Sequence, residues 1–68
     1  MMKEFYIELQ DENGTGYGCV YKNGEEMYFD NIDEARLYAK SRVDETYILA
    51  RVVDAETHSI VDFYEFRS

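Results

Sequence analysis

The chain has 68 residues, 15 of them acidic against 7 basic, for a net charge of −8. That imbalance repels phosphate backbones and anionic lipid headgroups, so it argues against nucleic acid and membrane as partners. A single cysteine excludes an intramolecular disulfide, and 46% hydrophobic with 16% aromatic content argues against disorder.

A chain this short forms a single domain, 1–68, and buries only about 60% of its unfolded surface, so it needs an efficient core or self-association. Met1-Met2-Lys3-Glu4 runs straight into a strand pattern without an apolar leader segment. No apolar run approaches the roughly 18 residues that a membrane span needs, and the expectation is a cytoplasmic protein.

Residues 4–10 alternate, with Phe5, Ile7 and Leu9 on one side and Glu4, Tyr6, Glu8 and Gln10 on the other. Period two predicts a half-buried strand. Asp11 to Gly16 reads as a loop with glycines free to take positive φ. Residues 17–22 and 25–29 read as two further strands joined by Asn23-Gly24, the strongest short hairpin signal in the chain. The first three strands then form an antiparallel meander, with Met27 and Phe29 on one face of the third and Glu26 and Tyr28 on the other.

Asn31, with Glu34 three residues on, marks a helix start, and Asp30 is a rival cap. Ile32, Ala35, Ala39 and Val43 fall in one arc at helical spacing, flanked by Tyr38, and predict the buried stripe. Leu37 falls outside it. Asp33 and Glu34 open the helix while Lys40 and Arg42 close it, which suits the macrodipole. Residues 46–53 and 59–66 predict a terminal hairpin around a turn at 54–58. Ile48, Ala50 and Val52 share one face of it, and Tyr47, Leu49, Arg51 and Val53 the other. Ile60, Tyr64 and Phe66 oppose Val61 and Phe63, so both faces of the hairpin are substantially apolar. The fold class is α+β: an antiparallel sheet of about five strands, order β-β-β-α-β-β, with one helix packed on one face. That helix leaves the opposite face to solvent or to a partner.

The helical segment is slightly positive, with Asp33 and Glu34 against Arg36, Lys40 and Arg42, so the acid excess belongs to the strands and loops. Six of the seven tyrosines are interleaved with it. Tyrosine supplies rigid amphipathic contact area and is enriched at interfaces. The candidate protein-binding face comprises Glu4, Tyr6, Glu8, Glu26, Tyr28, Tyr47 and Tyr64. The same composition also fits outward strand positions kept polar for solubility. A second copy of the chain or another protein would cover the terminal hairpin; a curled sheet would cover it equally well.

No catalytic, cofactor-binding or metal constellation emerges. Gly14-Thr15-Gly16-Tyr17-Gly18 resembles the glycine-rich loop of protein kinases but is one residue short in spacing, with no room downstream for a catalytic loop; as a dinucleotide loop it fails because a strand rather than a helix follows it. Asp11, Asn13, Thr15 and Gly16 imitate a calcium loop, yet Lys22 stands where a bidentate glutamate belongs. His58 sits in a turn near Asp54 and Glu56 without a nucleophile to serve. Cys19 reads as a small strand hydrophobe.

The run Phe29-Asp30-Asn31-Ile32-Asp33-Glu34-Ala35-Arg36-Leu37-Tyr38-Ala39, followed by Arg51-Val52-Val53-Asp54-Ala55-Glu56-Thr57, resembles small uncharacterised bacterial and prophage proteins. In these, F-x-x-x-x-E-A-x-x-Y-A precedes a V-x-D-x-x-T hairpin. The resemblance covers under half the chain; it implies an accessory bacterial or phage origin and transfers no active site. Two functions are then expected to compete: a protein-interaction module, and an inhibitor whose carboxylates mimic the phosphates of DNA.

Overall fold

The computed structural model describes residues 4–14 and 16–67, and Thr15 of the calcium-like run lies outside them. The alternating first segment becomes the strand around which the others are arranged, β1 (Phe5–Asp11). Its two faces are chemically different from the start, so its register with each neighbour is fixed by which set of side chains is buried.

On one side β1 pairs antiparallel with β6 (Tyr47–Asp54), placing Ile7 opposite Val52 and Leu9 opposite Ala50. β6 turns back at Asp54 into β7 (Ile60–Glu65). The Asp54 carboxylate accepts the Glu56 and Thr57 amides, and His58 takes a left-handed φ of 60° to close the loop.

On its other side β1 meets two short strands, β2 (Tyr17–Cys19) and β5 (Tyr28–Phe29). Between them β3 (Tyr21–Lys22) and β4 (Glu25–Glu26) form a separate small hairpin. Asn23 and Gly24, with φ of 55° and 82°, make the two-residue turn that the Asn-Gly pair favours. The three-strand meander is therefore corrected. The amide of Val20 bonds the carbonyl of Ile7, and the amide of Met27 bonds the carbonyl of Val20. The chain leaves the edge of β1 at Val20 and rejoins the same edge at Tyr28. The resulting five-stranded sheet has the order β2-β1-β6-β7, with β5 in line with β2 beside β1.

The helix α1 (Ile32–Arg42) starts at Asn31, whose Oδ1 accepts the amides of Asp33 and Glu34 at 2.8 and 3.2 Å. This satisfies two of the donors that a helix start leaves open. Ala35 and Ala39 are fully buried against the sheet, and their small size lets the helix axis come close. Beneath them lie Ile7, Leu9, Val20, Ala50 and Val52, with Phe5, Met27, Phe29, Tyr38 and Val43 around the margin. Ile7 and Val52 are the largest side chains wholly out of water; each contributes about 1.5–3 kcal/mol. Leu37, on the far side of the helix, is 72% exposed, as the helical spacing predicts. No helix among the described residues is long and apolar enough to cross a membrane.

Candidate functional site

The face of the sheet turned away from α1 is set by the register. Glu8 pairs with Arg51 and with Cys19; Gln10 pairs with Leu49 and Tyr17; Tyr6 pairs with Val53 and Tyr28. On the last strand, Phe63 lies opposite Arg51 and Ile60 opposite Val53. Five strands thus contribute to one surface with no helix over it.

At its centre the Arg51 Nε donates to Glu8 Oε1, and the guanidinium stacks on the Tyr17 ring with its carbon 3.6 Å from the centroid. Both charged side chains are largely withdrawn from water, at 27% and 18% exposure. A cation held between a carboxylate and an aromatic face in a partly desolvated spot is more than a solvent-side ion pair. Beside it the Tyr6 ring packs edge-on against Tyr28 at 6.0 Å and against His58 at 6.3 Å. The Tyr6 hydroxyl also shares a 3.2 Å hydrogen bond with His58 Nδ1. Burial lifts the Tyr6 phenol above its ordinary pKa, and the nearby Glu8 charge adds to the effect. Val53, opposite Tyr6 and Ile60, is only 2% exposed although no helix covers it. The face therefore has ordered, packed side chains.

Toward β7 the surface becomes apolar. Ile60 is 53% and Phe63 60% exposed on this face, Val61 lies at the bulge between them, and exposed Phe66 falls on the helix side with Tyr64. Single exposed apolar residues are ordinary; a row of them on an unpaired edge strand is not.

The sequence-derived set divides. Tyr6, Glu8 and Tyr28 meet on this face as expected. Glu4 is exposed just before β1, where its carbonyl accepts the Ala55 amide. Glu26 lies on the small hairpin opposite Tyr21. Tyr47 and Tyr64 lie on the helix side, packed against the core margin. Two irregularities explain this. The pairing skips Ile48 between Gln10/Leu49 and Asp11/Tyr47, and it skips Val61 between Val53/Ile60 and Val52/Asp62. Each bulge reverses the alternation of the residues beyond it. Tyr47 then lies near Arg42, whose guanidinium is 5.7 Å from its ring, and the Tyr64 hydroxyl donates to Asp62 Oδ2. Burial and that hydrogen bond raise the Tyr64 pKa.

Tyr17, Arg51, Ile60 and Phe63 were not in that set. Arg51 carried a signal: a lone cation between Ala50 and Val52 in a strand apolar on both faces requires a carboxylate partner, and Glu8 was an outward candidate.

The remaining chemistry-bearing residues do not converge. Cys19 is half-buried on β2; burial, then Glu26 and Glu8, raise its thiol pKa, which disfavours the reactive thiolate. Asp11 Oδ1 is occupied by the Asn13 amide in an Asx turn. Among the described residues no three His, Cys, Asp or Glu side chains gather as metal ligands. A concavity of about 350 Å³ near Cys19 is lined by Leu9, Asp11, Val20, Tyr21, Arg42 and Tyr47, and it holds no paired acid and base. Comparison with known proteins finds no matching family model and no similar curated protein or solved structure.

Proposed function

We propose that this chain is a small acidic protein-interaction module of bacterial or phage type, working in the cytoplasm, which binds a protein partner through its uncovered sheet face. The observation that supports it most is the Tyr17–Arg51–Glu8 stack, flanked by Tyr6 and Tyr28 and continuous with exposed Phe63 and Ile60. Pre-packed aromatic side chains lose little conformational entropy on contact, and arginine and tyrosine are the side chains that most often dominate binding energy. The reading assigns no catalysis and no cofactor.

Phosphate mimicry, as in an inhibitor of a nucleic-acid-binding protein, finds less support. The central carboxylate of this face, Glu8, is already committed to Arg51. The test is capture of a partner from bacterial lysate by the intact chain and by three variants, Tyr6→Ala, Tyr17→Ala and Leu37→Ala. Binding that persists in high salt, is lost in both tyrosine variants and survives Leu37→Ala is the expected result. Binding that collapses with salt and is abolished by Glu4→Gln together with Glu8→Gln would favour the mimic. Binding untouched by either tyrosine variant would remove the face from consideration.

A further inference from the structure

Three of the four arginines are paired: Arg36 with Asp33 and Asp62, Arg51 with Glu8, and Arg67 with Glu65. Arg42, the last residue of α1, is half-buried and has no carboxylate partner among the described residues. In a chain with 15 acidic residues against 7 basic ones, such a cation is the exception. Its position is fixed all the same. Nη1 donates to the Tyr38 hydroxyl at 2.9 Å, and the guanidinium carbon lies 5.8 Å from the Tyr38 ring centroid and 5.7 Å from that of Tyr47. The guanidinium has further N–H donors, and none of them meets a protein acceptor among the described residues. The carboxylate of Asp44, two residues on, accepts the Thr46 and Tyr47 amides instead.

Arg42 borders the concavity of about 350 Å³, whose apolar and aromatic lining comes from Leu9, Val20, Tyr21 and Tyr47. Gly18 gives it room. Of the four glycines, Gly18 alone lacks a positive φ, so its backbone does not require glycine. It pairs with Leu9 and therefore presents the same side of the sheet, and a Cβ there would meet nothing within 4 Å. We propose that this concavity binds a small, flat monocarboxylate. The carboxylate takes the open donors of Arg42, and the apolar body lies against Leu9, Val20 and the two tyrosines in the space left by Gly18. Three features select that class. The volume is near the lower end of ligand sites, which span about 300–1,000 Å³. One planar guanidinium matches one carboxylate. Asp11, also in the lining, and the carbonyl end of α1 oppose any second negative charge, so a phosphate dianion is disfavoured. The site is on the helix side of the sheet, away from Tyr6 and Tyr28, and does not depend on the function proposed above.

Titration of the intact chain with hydrocinnamate, followed by two-dimensional nitrogen–proton NMR, tests this. The expected result is saturable shifts at the amides of Gly18, Val20 and Tyr47 and at the Arg42 Nε–H, with a Kd on the order of 1 mM, and none at Tyr6 or Tyr28. The neutral amide of the same acid should bind about ten-fold more weakly, and inorganic phosphate should not saturate. Arg42→Lys keeps the charge without the planar fork and should weaken binding several-fold. Gly18→Leu fills the space from a strand position and should abolish binding while the rest of the spectrum stays that of the folded chain. Four results would each overturn the proposal: no saturable shift with hydrocinnamate, equal binding of acid and amide, phosphate binding as tightly as the acid, or binding unchanged in Arg42→Lys. The first two need no variant, so they hold even where a substitution disturbs folding.

Discussion

The two faces of one sheet are built from the same strands and solve opposite problems. Toward α1 the residues are small or aliphatic, fully dry, and carry no charge: Ile7, Ala50 and Val52 beneath Ala35 and Ala39. On the other face, one residue along each strand, are Tyr6, Glu8 and Arg51, each partly in water, with Glu8 bonded to Arg51 and Tyr6 to His58. The dry face obtains its stability from excluded water and close packing. The wet face obtains its order from directional contacts, which hold side chains in place without hiding them. A small domain with little surplus stability can thus keep a rigid surface on the side it leaves open.

The contrast breaks first on the dry side. Ile7→Ala leaves a cavity under the helix and should cost about 2–5 kcal/mol, enough to leave a marginal domain of this size largely unfolded; urea denaturation followed by circular dichroism measures it. On the wet side Arg51→Met strands Glu8 in a partly desolvated spot and removes the cation over Tyr17. The expected loss is about 1–2 kcal/mol, and a double-mutant cycle with Tyr17→Leu should show positive coupling between the two.

Alkaline pH weakens both faces together. Tyr6 and Tyr64, one on each, have phenol pKa values raised above the ordinary 10.0. A group whose folded pKa exceeds its unfolded one contributes stability that is complete below the unfolded value and lost as pH rises through the folded value. Thermal midpoints should therefore drop as pH climbs past 10.0, with a smaller drop in Tyr6→Phe. The smallest effect is expected at Leu37→Glu, on the outer side of the helix, where stability should move by no more than about 0.5 kcal/mol. A large loss there would show that the helix has a third working surface.

Much of this was legible from local pattern. The alternation of residues 5–9, the Asn31 cap, the alanine stripe of α1 and the Asn23-Gly24 turn each depend on neighbours in sequence, and each appears where the local chemistry places it. The misplaced elements depended on distant pairing. Nothing near Tyr47 announces that Ile48 will be skipped against β1, and nothing near Tyr64 announces that Val61 will be skipped against β6. A bulge is a property of two strands together, and one extra residue sends everything beyond it to the opposite face. The same holds at Val20, a single residue whose amide donates to Ile7 and whose carbonyl accepts from Met27, so that two segments read as separate strands share a single edge. Of the candidate face, Tyr6, Glu8 and Tyr28 were readable because they precede any bulge; Tyr17 and Phe63 were not, because only the register places them around Arg51.

The β3–β4 hairpin hangs from the edge by the Met27–Val20 hydrogen bond, and without residues 21–27 the strand would run from Val20, opposite Ile7, straight into Tyr28, opposite Tyr6. A sheet with one receptive edge closes after two copies. A sheet with two receptive edges has no last member and grows into a ribbon. That short excursion, exposed and contributing nothing to the core, leaves the sheet with one uninterrupted edge instead of two.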